Sequence, residues 1–177
     1  MNIKINRDVL LKPLSNVVSI VEKRQALPIL SNLLLVGNEN QLTFTATDLE
    51  MQTSLSIETK IDSNFEITIS AKKLFDITRA LPEGSELEFQ INESRVNVKA
   101  GKSKFNLQTL PAKDYPILKQ GDSESISFDI SQKALKGLLK QVDFAMAQQD
   151  IRYYLNGLLF EIQGQKLNIV GTDGHRL

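Results

Sequence analysis

Residues 27–48, LPILSNLLLVGNENQLTFTATD, overlay residues 152–173, RYYLNGLLFEIQGQKLNIVGTD, without a gap at a spacing of 125. Thr47 and Asp48 fall on Thr172 and Asp173, and Leu30, Leu33, Leu34 and Leu42 fall on Leu155, Leu158, Leu159 and Leu167. Upstream, Leu10, Leu14 and Val17 fall on Leu135, Leu139 and Val142. Shared periodicity could align leucines, but not a matched Thr-Asp pair at the end of a strand. The chain therefore reads as a tandem array of one module. A shorter register lies inside it: Ile5, Asn6 and Leu10 return as Ile69, Ser70 and Leu74, and again as Ile130, Ser131 and Leu135. Each time an alternating strand (Ile3/Ile5, Ile67/Ile69, Phe128/Ile130) meets Asn or Ser and then an apolar stretch at helical spacing. The polar side chain suits an N-cap, where its oxygen accepts a bond from an orphan N–H of the first turn. Three strand, cap, helix units are expected.

After the first helix, residues 32–36, 42–47 and 53–60 alternate like strands and are broken by turn residues such as GNENQ. The second unit repeats the layout with a helix over 71–80, a turn at LPEGSE, and strands over 87–91, 96–99 and 105–110. One domain is thus two copies of strand, helix and three strands. Short consecutive strands joined by tight turns imply antiparallel sheets with helices on one side, an α+β architecture. Residues 111–125, PAKDYPILKQGDSES, carry two prolines, a glycine and several charges, and read as a linker. The expected division is a complete first domain over 1–122 and a second over 123–177, truncated three strands into its first half. Pro13 lies deep in the first helix and predicts either a kink there or a later start.

With no cysteine and one histidine, the sequence has no disulfide framework and no Cys-based zinc site, which fits a reducing cytoplasm. MNIKINRDVL lacks the layout of a signal peptide, and no apolar run approaches the ~20 residues of a membrane span. The 21 basic and 21 acidic residues balance, but they are segregated. Arg7, Lys12, Lys23 and Arg24 outnumber Asp8 and Glu22 in the first helical segment. Lys72, Lys73 and Arg79 outnumber Asp76 in the second, and Lys133, Lys136 and Lys140 outnumber Asp143 in the third. If the helices share one face, that face is basic and the opposite one acidic.

His175, two residues after Asp173, could suggest a general base, but no nucleophile sits in a recognisable elbow and no metal set accompanies it. Asp48 repeats Asp173 without a histidine, so the aspartate reads as a turn or strand-end cap. Gly101, Lys102 and Ser103 imitate the end of a phosphate-binding loop, yet Val96 stands where that motif needs glycine and the flanks are strands. The segment is a hairpin turn.

The segments ALPILSNLLL (beginning at Ala26 where the family has Thr), TDLEM, LPEG, QQDIRYYLNG and TDGHRL resemble the bacterial sliding-clamp family, the β subunit of the replicative DNA polymerase III, along the whole chain. The resemblance implies the DNA-clamp fold, with three domains per protomer and two protomers closed head to tail around duplex DNA. The third domain would be absent from this chain. Helices would line the hole and antiparallel sheets would form the outside, with no catalytic site, metal or cofactor. It implies sequence-independent contact with double-stranded DNA by Arg24, Lys72, Lys73, Gln149, Tyr153 and Tyr154. Tyr153 would be the wet tyrosine, since Tyr154 aligns with the apolar Ile29. Leu155, Thr172, Gly174, His175, Arg176 and Leu177 would belong to a cleft that receives short linear motifs. Those would come from the catalytic subunit of DNA polymerase III, the clamp loader and repair polymerases. The edge strand with Lys104, Phe105 and Leu107 would pair with the other protomer of a homodimer. Rival classes are a small hydrolase built on Asp173 and His175, and a plain protein-interaction module that does not bind DNA.

Overall fold

Strand β1 (Asn2–Asn6) buries Ile3 and Ile5 and exposes the residues between them, the alternation of a half-wet strand. Asn6 ends it, and its side chain accepts the Asp8 N–H at 2.8 Å to cap helix α1 (Arg7–Val18). The helix starts at the predicted cap and continues through Pro13, so the later start does not occur. Leu10, Leu14 and Val17 explain why the proline is tolerated. All three are fully buried, each contributing about 1.5–3 kcal/mol, against the ~3 kcal/mol an interior proline costs.

The computed structural model describes residues 1–21, 27–92, 95–118 and 127–176, and the chain divides into two compact units, Met1–Gly121 and Asp122–Leu177. In the first unit β2 (Asn32–Asn38), β3 (Gln41–Thr47) and β4 (Gln52–Glu58) form an antiparallel meander. After β5 (Phe65–Ser70), Ser70 accepts the Lys73 N–H and caps α2 (Ala71–Ala80). A second meander follows, β6 (Glu86–Asn92), β7 (Arg95–Ala100) and β8 (Ser103–Gln108). The sheets run β1-β6-β7-β8 and β4-β3-β2-β5. Each half thus lends its leading strand to the sheet of the other: β1 pairs with β6, and β5 with β2. The helices pack against each other, and Leu10, Leu14 and Val17 from α1 join Leu74 from α2 in one core with residues of both sheets. The start of α1 is tied to α2 and to the LPEG turn after it. Arg7 Nε donates to Thr78 O at 3.3 Å, and Asp8 Oδ2 accepts the Gly84 N–H at 2.9 Å.

The stretch 111–118 is docked rather than free. Tyr115 is buried, and its hydroxyl reaches Asn32 O and Thr45 O, each at 3.3 Å. Thr68 Oγ1 donates to Leu110 O at 2.8 Å and accepts the Leu110 N–H at 3.0 Å, while Gln52 Oε1 accepts the Leu118 N–H at 2.9 Å. Prolines and charges drew the linker boundary too early, because one aromatic side chain carries the segment onto the sheet.

In the second unit Ser131 accepts the Ala134 N–H at 3.2 Å and caps α3 (Gln132–Val142). The antiparallel hairpin β9 (Leu159–Gln163) and β10 (Lys166–Val170) follows, two strands where three were expected. The predicted strand at Phe128/Ile130 does not form, and Phe128 is 50% exposed. A strand exists only when a neighbour takes its backbone groups. In the first unit β6 does this for β1, and no strand pairs with residues 128–130 among the described residues. Among the described residues no helix is long and apolar enough to cross a membrane.

Tyr115→Phe keeps the buried ring but removes the single O–H proton that the carbonyls of Asn32 and Thr45 share. It should destabilise the first unit by about 1–2 kcal/mol, seen as a lower urea midpoint at unchanged slope.

Candidate functional site

The Thr-Asp pair builds the same turn twice. In the first copy Thr47 Oγ1 donates to Met51 O and accepts the Leu49 N–H, while Asp48 Oδ1 accepts the N–H groups of Glu50 and Met51 at 2.9 and 2.7 Å. In the second, Thr172 Oγ1 donates to Arg176 O and accepts the Gly174 N–H, while Asp173 Oδ1 accepts those of His175 and Arg176 at 2.9 and 3.1 Å. The two sets match bond for bond. Both turns need a left-handed residue at their second position after Thr, met by Gly174 at φ +86° and by Leu49 at φ +80°. Glycine adopts that conformation freely, whereas a leucine Cβ crowds its own carbonyl.

This accounts for Asp173. Its carboxylate serves backbone amides and Arg176 Nε, which donates to Oδ2 at 2.8 Å. The hydrogen bond from His175 N–H, followed by burial and by Arg176, sets its pKa, and the net shift is downward. No bond to the imidazole ring is among these, so the geometry gives no catalytic dyad. Arg176 also lies over the Phe144 ring, 5.9 Å from its centroid.

The residues expected to touch DNA from the second unit sit on a loop closed upon itself. Asn156 Oδ1 accepts the Asp150 N–H at 2.9 Å, and Asn156 Nδ2 donates to Asp150 O at 3.0 Å. The ring presents Gln149, itself in the left-handed region at φ +57°, together with Tyr153 and Tyr154. Tyr153 is 83% and Tyr154 67% exposed, their rings edge to face with centroids 6.0 Å apart. Only Tyr153 was expected in water. Alignment with Ile29 misleads for Tyr154: Ile29 is itself only half-buried, and it is Leu155, aligned with the buried Leu30, that is buried in this segment.

Sequence reasoning missed Asp150 and Arg152. Asp150 Oδ1 accepts Arg152 Nε at 3.0 Å and the Arg152 backbone N–H at 2.8 Å, and Oδ2 accepts Nη2 at 2.8 Å. The side-chain bonds from Arg152, then the backbone one, hold the Asp150 carboxyl down at about 2 against its ordinary 3.8. The signal was present: Arg152 stands where the first copy has Leu27, a cation substituted into an apolar position.

Lys72 and Lys73 occupy the first turn of α2, exposed. Among the described residues neither is in an ion pair, nor are Lys12, Lys133, Lys136 or Lys140, whereas Arg79 is held by Asp76 and Phe75. Arg24 and Leu177 lie outside the described residues. On β8, the edge of its sheet, Lys104 is exposed, Phe105 half-buried and Leu107 buried in the core. The edge therefore offers an open backbone more than apolar side chains.

Leu49→Gly should relieve about 1–2 kcal/mol of left-handed strain against about 0.4–1 kcal/mol of added chain entropy. A modest rise in the urea midpoint is expected, and Gly174→Ala should instead lower stability. The Asp150 carboxyl should titrate with a midpoint of about 2 by NMR and return toward 3.8 in Arg152→Gln. A depressed carboxyl stabilises fully above its unfolded value, so this contribution fades as pH falls from about 4 and is gone below about 2.

Family models described as the DNA polymerase III beta subunit match twice, the N-terminal domain over residues 1–119 and the central domain over 129–177. Beta sliding clamp of Pseudomonas aeruginosa is 47% identical over the whole chain, and that of Escherichia coli K12 44%, each with 48% of its own length covered. The crystal structure of the DNA polymerase III subunit beta from Pseudomonas aeruginosa superposes with a TM-score of 0.92 at 45% identity, covering 99% of this chain and 48% of that one. Caulobacter crescentus pol III beta gives 0.90 at 38% identity, with the same coverage. The chain thus spans about half the length of the curated relatives it matches. Two family models cover most of the chain and clamp structures superpose on nearly all of it, so the chain has the DNA-clamp fold and belongs to the DNA polymerase III beta subunit family.

Proposed function

We propose that the protein acts as a non-catalytic sliding clamp in the cytoplasm, a ring of two protomers around duplex DNA that tethers the replicative polymerase. The observation that carries this reading is identity of 44–47% along the whole chain to relatives named Beta sliding clamp. The charge distribution supports it. Exposed lysines at 12, 72, 73, 133, 136 and 140, in no ion pair among the described residues, attract a polyanion without committing to one geometry. A tether that slides needs that looseness, because each tightly neutralised phosphate steepens salt dependence and immobilises the protein. Dissociation then requires opening a ring, not breaking ion pairs. Arg24, Lys72 and Lys73 serve as backbone contacts in this reading, with Gln149, Tyr153 and Tyr154 at a junction where exposed bases can stack on rings.

The turn with Thr172, Gly174, His175 and Arg176, together with Leu155 and Leu177, forms one wall of a cleft for short extended motifs with apolar anchors. Those motifs belong to the polymerase, the clamp loader and repair polymerases. Strand β8 with Lys104, Phe105 and Leu107 pairs with the other protomer, which would satisfy an otherwise unmatched row of backbone groups. The first domain spans 1–122 and the second begins at 123.

Loaded onto a nicked circular plasmid, the whole protein should stay bound through gel filtration at salt that strips ordinary DNA-binding proteins. Linearising the plasmid should release it. Equal retention on both forms would mean that contact, not topology, holds it.

A further inference from the structure

The loop with Gln149, Tyr153 and Tyr154 and the turn with Thr172 to Arg176 are separated in sequence by the β9–β10 hairpin, yet one guanidinium touches both. Arg152 Nε and Nη2 grip Asp150 on the loop, and Nη2 also donates to Asp173 O on the turn at 3.3 Å. Nη1 sits 3.1 Å from where a Cβ on residue 174 would be, so the arginine packs directly on the turn's glycine. Asn156 locks the Asp150 backbone from the other side, through both its N–H and its carbonyl.

The first copy of the module serves as an internal control. There the same four hydrogen bonds form the turn with Leu27 in place of Arg152 and Leu49 in place of Gly174. The turn therefore does not require the arginine in order to fold. Nor does closure of the loop, which Asn156 performs. What Arg152 adds is the link between them, and Gly174 leaves the room it needs.

Resting on the function proposed above, we infer that Arg152 is a positioning residue that couples the DNA-side loop to the peptide-side turn. Nη2 is shared between two acceptors, one on each segment. Any movement of the Asp173 carbonyl alters the hold on Asp150, and with it the aim of Gln149 and the two exposed tyrosines. A ligand that orders one segment reduces the entropy the other must lose on binding, and linkage makes the effect reciprocal. The arrangement is suited to a clamp that must register both a DNA junction and a bound partner.

The test labels the protein with 15N at glycine and tyrosine, so that Gly174 reports the turn, Tyr153 and Tyr154 the loop, and Gly84 of the first unit serves as a control. Without any ligand, Arg152→Gln should shift the amide resonances of all three reporters in the second unit and leave Gly84 in place. Arg152→Lys, which keeps the charge but not the fork, should give an intermediate shift. An unmoved Gly174 in Arg152→Gln would overturn the link. Adding duplex DNA with a single-stranded end should move Tyr153, Tyr154 and Gly174 in the wild type, but only the tyrosines in Arg152→Gln. If the tyrosines respond and Gly174 does not in the wild type, the coupling is refuted while the function stands. If no reporter responds to DNA, the function reading fails, and the ligand-free shifts still decide whether loop and turn are joined.

Discussion

The backbone of a leading strand cannot satisfy its own hydrogen bonds, and the whole architecture follows from how that need is met. β1 finds its partner in β6 and β5 finds its partner in β2, so neither half of the first unit can close a sheet without the other. Crossing strands in this way brings α1 and α2 against each other over one core. In the second unit the same requirement acts in reverse. Phe128 to Ile130 has the right alternation and the right cap behind it, yet among the described residues no strand pairs with it and it is irregular.

The ends of strands pose a smaller version of this problem. Both copies of the module solve it with Thr and Asp, whose oxygens accept the amides that the ladder leaves behind, and the geometry survives the change from Gly174 to Leu49 at a left-handed position. Preserving a turn at the cost of about 1–2 kcal/mol of strain says that the hydrogen bonds, not the residue at the bend, define it. The second copy then uses the freedom that glycine gives. Removing a side chain at 174 is what allows an arginine from another segment to lie against the turn.

Features governed by local rules were legible in the sequence. Asn6, Ser70 and Ser131 are all N-caps, because capping depends on one side chain and the two or three residues after it. Alternation located every strand of the first unit to within a few residues, since one face of each must meet the core. What escaped depends on long-range partners. Tyr115 lies in a stretch that looks like linker by composition and is fixed by carbonyls some 70 and 83 positions away. Arg152 looked like one charge among many until folding set it against Asp173, and the exposure of Tyr154 depends on packing that its alignment with a half-buried Ile29 does not specify.

Charge placement completes the physical picture. Lys72 and Lys73 stand at the N-terminal end of α2, where the helix dipole is positive and a cation is disfavoured by a few tenths of a kcal/mol. Among the described residues neither is in an ion pair with a carboxylate, although nearby Arg79 has Asp76 within 3.3 Å. A domain optimised only for its own stability would place acids there. Positive charge left at that end of α2 is what the proposed function would offset with a polyanion, which attracts the lysines without requiring any single one to be fixed.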